Sequence, residues 1–372
     1  MNVNKYNQML NKLQDKFFST VFVAMRPLLA ILAAFLVSSL LILTQGVNPL
    51  DAFAAMLKGS VGSVGALAAS GVRAIPLLFG GFSFAVAARA GLFNIGVEGQ
   101  LLMGAAAATA VAIRPLPVPQ VVHVTLCLIA AFIGGALYAL IPGLLRAYKQ
   151  TNEVVITLMM NYIAINIVSY LVLDGPLKRE GAWFPQSPDI QLTAWLPKLI
   201  TRTSLHAGIL IAVLIGLILY IVFQYTPNGF RLKILGMNPH VAEYSGIKVN
   251  PTLLKVMLIS GGIAGIGGAS EVMGLRHALF DNFSGGLGYD GISVGLLAGG
   301  NPLGVFLAAA FFGALRAGAG LMQQSVGIVT AMSDVIQALT VFFVVGTGFV
   351  ATTKSKKKRK SGKLAPEGGT PS

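Results

Sequence analysis

Charged residues are scarce in this chain, and long stretches contain none at all. Of its 372 residues only 11% are charged, whereas 55% are hydrophobic. A soluble domain carries about 25% charged residues, so this composition excludes an ordinary water-soluble protein. Apolar runs of about 20 residues, the length that crosses a bilayer, recur along nearly the whole sequence. The chain is therefore predicted to be an all-α, polytopic bundle of membrane helices.

The sequence also lacks the motifs typical of enzymes, nucleotide-binding sites, metal sites and disulfide-bonded folds. Cys127 is the single cysteine, so the chain has no disulfide framework. The sequence contains no GxxxxGK[ST], HExxH or GxSxG pattern, and "GFVATTKS" lacks the second glycine of a Walker site. The histidines are too scattered along the sequence to indicate a metal site; they are His123, His206, His240 and His277. We therefore expect no catalytic residues, no metal and no cofactor, and we do not expect an enzyme.

The positive charge is distributed as in a membrane protein, not as in a protein that binds nucleic acid. The formal net charge is +14. Basic residues gather at the N-terminus, in short loops beside apolar runs, and in the tail "TTKSKKKRKSGK". This positive-inside pattern orients the protein and places the basic segments in the cytoplasm. The tail could also contact anionic membrane lipids, and no nucleic-acid partner is expected.

About ten apolar segments are predicted to span the membrane. They lie at 27–45, 62–88, 92–113, 121–145, 152–173, 206–224, 253–272, 286–300, 303–320 and 332–351. With ten spans both basic termini are cytoplasmic, whereas nine would place one outside. The predicted domains are a cytoplasmic segment 1–26, a transmembrane domain 27–351 and a basic, disordered cytoplasmic tail 352–372.

Two segments five spans apart are similar to each other. The first is "FNIGVEGQLLMGA" and the second is "YDGISVGLLAGG". Because an odd offset places the two copies in opposite orientations, they predict a 5+5 inverted repeat whose discontinuous helices meet near the midplane. Two glycine pairs with small-xxx-small spacing also predict close helix packing: Gly261 with Gly265, and Gly295 with Gly299.

Polar side chains interrupt the third span, in "LFNIGVEGQLLMGA". Asn94 and Glu98 are four residues apart and share one face of a helix, and Gln100 reaches the same cavity if Gly96 and Gly99 loosen that helix. Because ionisable groups in a bilayer usually face the bundle interior or a water-filled cavity, this stretch is a candidate for a translocation pathway. The alternative is that Asn94 caps the helix and Glu98 lies in its first turns.

The fifth span, in "TNEVVITLMMNYIAINI", carries a second polar group. Glu153, Thr157 and Asn161 are spaced at i, i+4 and i+8, which places them in one narrow stripe. The stripe could line a pathway. Alternatively, Glu153 is a favourable first-turn carboxylate and Asn161 forms an ordinary interhelical hydrogen bond.

The loop 225–252 is predicted to be the longest cytoplasmic loop between spans. Within it, "NPHVAEYSG" predicts a short helix with Asn238 as N-cap, Pro239 at the first helical position and Gly246 as the stop. A short helix with both ends specified suggests a contact surface, although a plain solvated helix is the alternative.

Four stretches together resemble a known family: "GLFNIGVEGQLLMGA", "TNEVVITLMMNYIA", "GMNPHVAEYSGI" and "LAGGNPLGVFLAAAFFGAL". They are similar to bacterial ABC-transporter permeases of the branched-chain amino acid, ribose and nucleoside group, and most of all to the purine nucleoside permeases. The resemblance covers most of residues 62–350.

The resemblance implies an importer subunit in the bacterial plasma membrane that translocates nucleosides. Its partners would be a separate ABC ATPase subunit, a second homologous permease and a surface substrate-binding lipoprotein. The ATPase would receive a coupling helix, whose positions here are Asn238, Pro239, Ala242, Glu243 and Gly246. The substrate pathway would be lined by Phe93, Asn94, Glu98, Gln100, Glu153, Thr157 and Asn161, with Phe93 stacking on the base.

Two alternatives remain open at this point. The same class of importer could carry simple sugars or branched-chain amino acids, with Arg73 and Glu98 as charge partners for an amino acid. A proton-coupled secondary transporter would instead use Glu98 or Glu153 as the proton carrier.

Overall fold

The structure is a computed structural model that describes residues 29–361, and the side chains of residues 29–346. In this range the backbone is helical and forms no β-strand beyond two isolated bridges, so the all-α prediction is confirmed. The helices are α1 Leu29–Thr44, α2 Pro49–Val61, α3 Val64–Arg89, α4 Val97–Ala112, α5 Gln120–Lys149, α6 Glu153–Leu173, α7 Gly208–Tyr225, α8 Pro227–Met237, α9 Pro239–Tyr244, α10 Val249–Glu271, α11 Leu287–Leu297, α12 Pro302–Val326 and α13 Met332–Ser361. A π-helical turn, Val272–Arg276, extends α10.

The chain divides into two compact units, residues 1–50 with 331–372 and residues 51–330. The first unit contains α1 and α13, and the second contains all helices from the body of α2 to α12. Helix α13 continues to Ser361, so the tail predicted to be disordered from residue 352 begins as helix, because lysine and arginine are good helix formers. The predicted segment 1–26 and residues 362–372 lie outside the described residues.

Six described helices are long and apolar enough to cross a membrane: α3, α5, α6, α7, α10 with its π turn, and α12. A seventh span is counted if α1 and α2 together make one broken span. Helices α4 and α11 are apolar but have only 16 and 11 residues. At 1.5 Å per residue they are about 24 and 16 Å long, less than the ~30 Å hydrocarbon core. The spans predicted at 92–113 and 286–300 are therefore shorter helices than expected, and the total of ten stays a prediction.

Two helices were not predicted from the sequence. Helix α2 follows Asn48, whose Oδ1 accepts a hydrogen bond from Leu50 N at 3.1 Å. Helix α8 lies in the predicted cytoplasmic loop, and Thr226 caps it by accepting a hydrogen bond from Gly229 N at 3.3 Å. Pro227 occupies its first turn, where its missing N–H removes no helical hydrogen bond. The "TPNG" stretch therefore starts a helix and does not form a loop.

Helix α10 packs against α4 and α5 with almost no side chain between the backbones. A Cβ added to Gly104 would lie 2.2 Å from Gly265 Cα, and one added to Gly261 would lie 2.5 Å from Gly135 O. The predicted role of Gly261 and Gly265 in close helix packing is confirmed, because any larger residue would force these helices apart.

The second predicted glycine pair behaves differently. Gly295 packs against the ring of Phe84, where an added Cβ would lie 2.6 Å from Cδ1. Gly299 follows the end of α11, has a φ of +59° and would meet nothing within 4 Å. Its predicted role in helix packing is wrong, because the helix ends before it and a left-handed turn begins there.

Candidate functional site

The first turns of α4 and α11 lie against each other inside the second unit. Glu98, in the first turn of α4, is 2% exposed. Its carboxylate accepts hydrogen bonds from Ser284 Oγ and, at 2.6 Å, from Gly288 N. The Gly288 N–H belongs to the first turn of α11, where backbone donors have no partner within the helix and the helix dipole is positive. We call this contact of Glu98, Ser284 and Gly288 the junction.

The connecting segment, residues 90–96 between α3 and α4, is not helical, so its backbone groups need other partners. Polar residues of α6 supply them, in the hydrogen bonds Phe93 N to Glu153 Oε1 (3.4 Å), Ile95 N to Thr157 Oγ1 (3.3 Å) and Asn161 Nδ2 to Ile95 O (2.8 Å). The predicted stripe on α6 therefore exists, and it contacts the backbone of the connecting segment.

Asn161 also joins this region to α4 and α11. Its Oδ1 accepts a hydrogen bond from Gly99 N at 2.9 Å, and its Nδ2 lies 3.1 Å from the hydroxyl of Tyr289. Asn161 is fully buried. One amide side chain thus contacts the connecting segment and both short helices.

Asn94 and Gln100 form a separate buried pair. Asn94 Nδ2 donates to Gln100 Oε1 and to Ser260 Oγ, both at 2.9 Å. Asn94 Oδ1 accepts hydrogen bonds from Gly96 N at 2.9 Å and Gln100 Nε2 at 3.2 Å. The interpretation that Asn94 and Glu98 share one helical face is wrong, because α4 begins only after Asn94. Gln100 is the residue beside Asn94, whereas Glu98 faces α11.

The remaining predicted residues lie toward the end of α3 that adjoins α8. The ring of Phe93 packs edge-to-face on Phe84, with 5.2 Å between the centroids, and is 38% exposed. Glu153 Oε2 lies 3.0 Å from Arg146 Nε in an ion pair. Both groups therefore have protein partners.

A cavity of about 650 Å³ lies beside the junction, and none of the seven predicted pathway residues lines it. Its charged lining consists of Arg73, Arg202, Arg276, Arg316 and Glu271. Ser284 also lines it, so the same side chain contacts both the cavity and Glu98. We call this space the arginine cavity.

Two of the four arginines are paired with carboxylates. Arg276 Nε donates to Glu271 Oε1 at 3.2 Å, and Arg316 pairs with Asp290. Arg73 lies near enough to Glu271 for a Coulomb interaction. Among the described residues, neither Arg73 nor Arg202 has an ion-pair partner. Four guanidinium groups against two carboxylates leave an excess of two positive charges around the cavity.

A proline interrupts α3 at the cavity wall. Pro76 lies inside α3 and has no N–H, so the carbonyl of Val72, four residues earlier, lacks its usual helical donor. Both residues line the arginine cavity, next to Arg73. The hydrogen-bond pattern of α3 is therefore broken beside the cavity.

The arginine cavity and α9 lie near opposite ends of α3. Residues 202–204, between α6 and α7, line the cavity, together with Gly65 at the start of α3. At the other end, Arg89 Nη2 donates to Phe223 O at 3.1 Å, and a Cβ added to Gly236 of α8 would lie 2.9 Å from Gly91 N. The cavity lining on α3 ends at Pro76 and the helix ends at Arg89, so about 20 Å of helix separates the cavity from the end that adjoins α8.

Helix α9 has the ends that the sequence predicts. Asn238 Oδ1 accepts hydrogen bonds from His240 N at 2.9 Å and Val241 N at 3.4 Å, and Gly246 has a φ of +78°. Ala242 is fully buried, whereas Tyr244 is 94% exposed. The helix is held on one side and presents Val241, Glu243 and Tyr244 outward.

The sequence analysis did not identify most of the charged residues in and around the arginine cavity. It considered Arg73 only as a charge partner, with Glu98, for an amino-acid substrate, and it gave no role to Glu271, Arg276, Asp290 and Arg316. The signal was available, because Arg73, Asp290 and Arg316 are charges inside predicted spans, and such charges mark functional sites by default. Their convergence could not be predicted, because they lie on three different helices.

Residues 66–345 match a family described as the permease component of branched-chain amino acid transport systems. The chain is 34% identical to the guanosine ABC transporter permease protein NupP of Bacillus subtilis, over 90% of this chain and 96% of that protein.

Two further relatives have different substrates in their names. A glucose ABC transporter permease of Haloferax volcanii is 34% identical over 87% of each chain. The nucleoside ABC transporter permease NupB of Lactococcus lactis is 31% identical over 86% of this chain and 89% of that protein. No solved structure matches the chain.

Proposed function

Since the chain belongs to the family of branched-chain amino acid transport system permease components, and is thus a transport subunit of an ABC importer and not an enzyme, we propose that it carries nucleosides. Two of the relatives named above, at 34% and 31% identity, are a guanosine and a nucleoside permease. The chain is a multi-pass plasma-membrane protein. It works in a system with an ATPase and a substrate-binding protein.

The orientation and the finer set of partners are part of the proposal. Both termini lie in the cytoplasm, since the basic residues gather there. A second, homologous permease pairs with this chain, the binding protein is a surface lipoprotein, and the basic tail contacts anionic lipid. In this orientation the end of α3 that adjoins α8 is cytoplasmic, and the arginine cavity opens toward the outside.

Helix α9 serves as the coupling helix for the ATPase. Its two ends are fixed by Asn238 with Pro239 and by Gly246, and Ala242 anchors it to the permease. Glu243 and its exposed neighbours face the ATPase. A movement of α9 reaches the interior through α8, because Gly236 packs directly on Gly91 at the start of the connecting segment.

The substrate route runs from the arginine cavity toward the junction. The observation that carries this proposal is the cavity of about 650 Å³, with Ser284 shared between its lining and the buried Glu98. Transport requires the junction and the connecting segment to separate. The seven residues predicted for the pathway, Phe93, Asn94, Glu98, Gln100, Glu153, Thr157 and Asn161, then form the part of the route that is closed in this structure.

Uptake of labelled nucleoside by the reconstituted complex tests this function. Vesicles would contain this chain, the second permease, the ATPase and the binding protein. We expect guanosine or inosine to accumulate only with ATP, and an ATPase variant unable to hydrolyse ATP to abolish uptake. Uptake that persists with that ATPase variant would contradict the proposal.

Glucose is a second candidate substrate, because the glucose permease named above is as similar to this chain as the guanosine permease. The same vesicles distinguish the two, since labelled glucose and labelled nucleoside can be offered together. Accumulation of glucose without nucleoside would favour the sugar. For an amino acid, Arg73 and Glu98 would have to contact the same substrate molecule. Arg73 lines the arginine cavity, whereas Glu98 bonds Ser284 and Gly288 and does not line it.

A further inference from the structure

We propose that the substrate-binding protein docks on the tip of the loop between α6 and α7, residues 180–184. The docking reaches the junction because this loop is paired with the segment 277–286, which joins the π turn to α11. The inference rests on the proposed function for its orientation, which places the loop outside the cell. It is independent of which substrate the importer carries.

The tip presents two exposed aromatic side chains. Trp183 is 99% exposed and Phe184 is 74% exposed. Aromatic residues, and tryptophan above all, are enriched among the few side chains that supply most of the binding energy at a protein interface. In water both rings leave a large apolar area uncovered, and a docked protein would bury it.

The tip is held in one shape by its base. Arg179 N donates to Gln186 O at 3.0 Å, which closes the loop on itself. The guanidinium of Arg179 pairs with Asp189 at 2.9 Å, and Ser187, just beyond the tip, is fully buried. A surface that is already ordered loses little conformational freedom on binding. The two aromatic rings are therefore presented on a fixed base.

Charge around the tip favours a protein partner over the bilayer. Glu180 belongs to the tip, and Asp281 lies beside it, because Asp281 N donates to Pro185 O at 3.0 Å. Both acidic residues are exposed, and neither forms an ion pair among the described residues. Carboxylates so close to Trp183 disfavour insertion of the tip into lipid. A partner face with lysine or arginine around an apolar pocket complements them.

The same loop contributes to the wall of the arginine cavity. Residues 202–204 line the cavity directly. On the other side, Asp281 is bonded to the loop and lies three residues before Ser284, which also lines the cavity. Three residues span at most about 11 Å. A protein seated on the tip is therefore beside the cavity, as the delivery of a substrate requires.

Hydrogen bonds join the loop to the segment that carries Ser284. Ser187 N donates to Leu279 O at 2.8 Å, and Leu279 N donates to Ser187 Oγ at 2.9 Å. Five residues after Leu279, the hydroxyl of Ser284 bonds Glu98 at the junction. A displacement of the tip therefore moves Ser284 and loosens the junction.

Binding of the labelled binding protein to the complete importer in lipid nanodiscs tests the tip. Trp183→Ala should raise the Kd by about tenfold or more, as expected when a central aromatic side chain is removed. Glu180→Lys should also raise the Kd, most strongly at low ionic strength, because it reverses a charge at the rim. The matched control is Val121→Ala at the start of α5, a residue that is 76% exposed but lies outside the loop. Its Kd should equal that of the wild type.

An unchanged Kd for Trp183→Ala would overturn the docking surface. If that variant instead lowered the yield of importer in the membrane at an unchanged Kd, the tip would be a bilayer anchor. A wild-type importer that does not bind the binding protein at all would refute the proposed function and its orientation, and not the choice of surface.

Uptake at a saturating concentration of binding protein tests the link to the junction. Ser187→Ala removes the hydroxyl that accepts from Leu279 N, so maximal nucleoside uptake should fall about threefold or more, while the Kd for docking stays within about twofold. Ser325→Ala is the control, because its hydroxyl donates to Leu321 O within α12, and it should change neither quantity. Unchanged maximal uptake in Ser187→Ala would contradict the link.

A cross-link gives a second measurement that removes no buried group. Gln186 and Phe280 lie opposite each other in an antiparallel bridge, a type of pair whose Cα atoms are about 4.5 Å apart. Cys127, the single native cysteine, is buried, so Gln186→Cys with Phe280→Cys can form a defined disulfide. Uptake should persist after oxidation, because the loop and the segment move together. Loss of uptake on oxidation, restored by a reductant, would overturn the link.

Discussion

The carboxylate of Glu98 and the backbone N–H of Gly288 meet at 2.6 Å, and a Cβ added to Gly288 would lie 2.4 Å from Glu98 Cα. Two helices thus begin side by side, with the acid of one placed at the positive end of the other. The contact requires a carboxylate on α4 and a glycine on α11. Each requirement can be tested separately.

Gly288→Ala should separate the starts of α4 and α11. The added methyl group would overlap Glu98 backbone atoms, which cannot rotate away, so we expect a loss of about 3 kcal/mol in the free energy of unfolding. Thermal unfolding in detergent would measure it. Gly320→Ala in α12 is the matched control, because nothing lies within 4 Å of its added Cβ and alanine favours a helix. Equal stability of the two variants would contradict the account of the junction.

Glu98→Gln should weaken the junction without changing its volume. The substitution removes the negative charge and turns one acceptor oxygen into a donor that faces an N–H or O–H group. Hydrogen bonds to charged groups contribute about 1.5–3 kcal/mol, so a loss near 2 kcal/mol in unfolding free energy is expected. Glu180→Gln, in an exposed loop, should cost nothing measurable. Equal stability of Glu98→Gln and the wild type would contradict this account of the junction.

Gly236→Ala should impair transport more than ATP hydrolysis. An added Cβ would lie 2.6 Å from Arg89 O, so α8 must move away from the end of α3. We expect nucleoside transported per ATP hydrolysed to fall at least threefold in reconstituted vesicles. Gly320→Ala in α12 is the control, because nothing lies within 4 Å of its added Cβ and it lines no part of the arginine cavity. If transport and hydrolysis fell in proportion, the contact would be structural only.

The loop between α6 and α7 should lose stability in acid because of His206. Burial, and then the nearby His277, lower the pKa of His206 from 6.5 to about 4. Its Nδ1 accepts a hydrogen bond from Gly208 N at 3.2 Å, so the ring is held neutral. The unfolded chain therefore binds a proton between pH 6.5 and 4 that the folded chain does not. Stability is complete above about pH 6.5 and falls by about 3 kcal/mol toward pH 4.

The pH dependence of the melting temperature, compared with His206→Asn, would isolate this contribution. Asparagine keeps an acceptor for Gly208 N but does not titrate, so the difference between the two curves should vanish above pH 7 and widen toward pH 4. His277 also has a lowered pKa, through burial and then Lys198, and it titrates in both proteins. Parallel curves would exclude His206 as the source.

The helical class and the positions of most long helices follow from the sequence, because apolar runs of spanning length are a strong signal. The capped helix α9 was also predictable, since Asn238, Pro239 and Gly246 are local signals. Helices α2 and α8 were missed, because proline and glycine there mark helix starts and not turns. The short lengths of α4 and α11 were missed because their ends are set by partners on other helices.

The candidate site was predictable only in part. The polar residues of α4 and α6 were identified, but many of the groups that they bond are backbone atoms, which a pattern of side chains does not reveal. The position of the Glu98 carboxylate is explained by its hydrogen bond with Gly288, which lies 190 residues later in the chain. The arginine cavity forms from α3, α10 with its π turn, α11, α12 and two loops, so its composition depends on tertiary contacts.

The shortness of α11 has a consequence for how the protein is made. An 11-residue helix of about 16 Å that carries an aspartate is a poor substrate for insertion into the bilayer on its own. It must therefore enter after α4 has formed a surface that accepts the N–H of Gly288, and Asp290 gains its partner Arg316 only when α12 follows. Membrane biogenesis of this permease then includes a late docking step, and the carboxylate of Glu98, which is synthesised early, has no partner on α11 before that step.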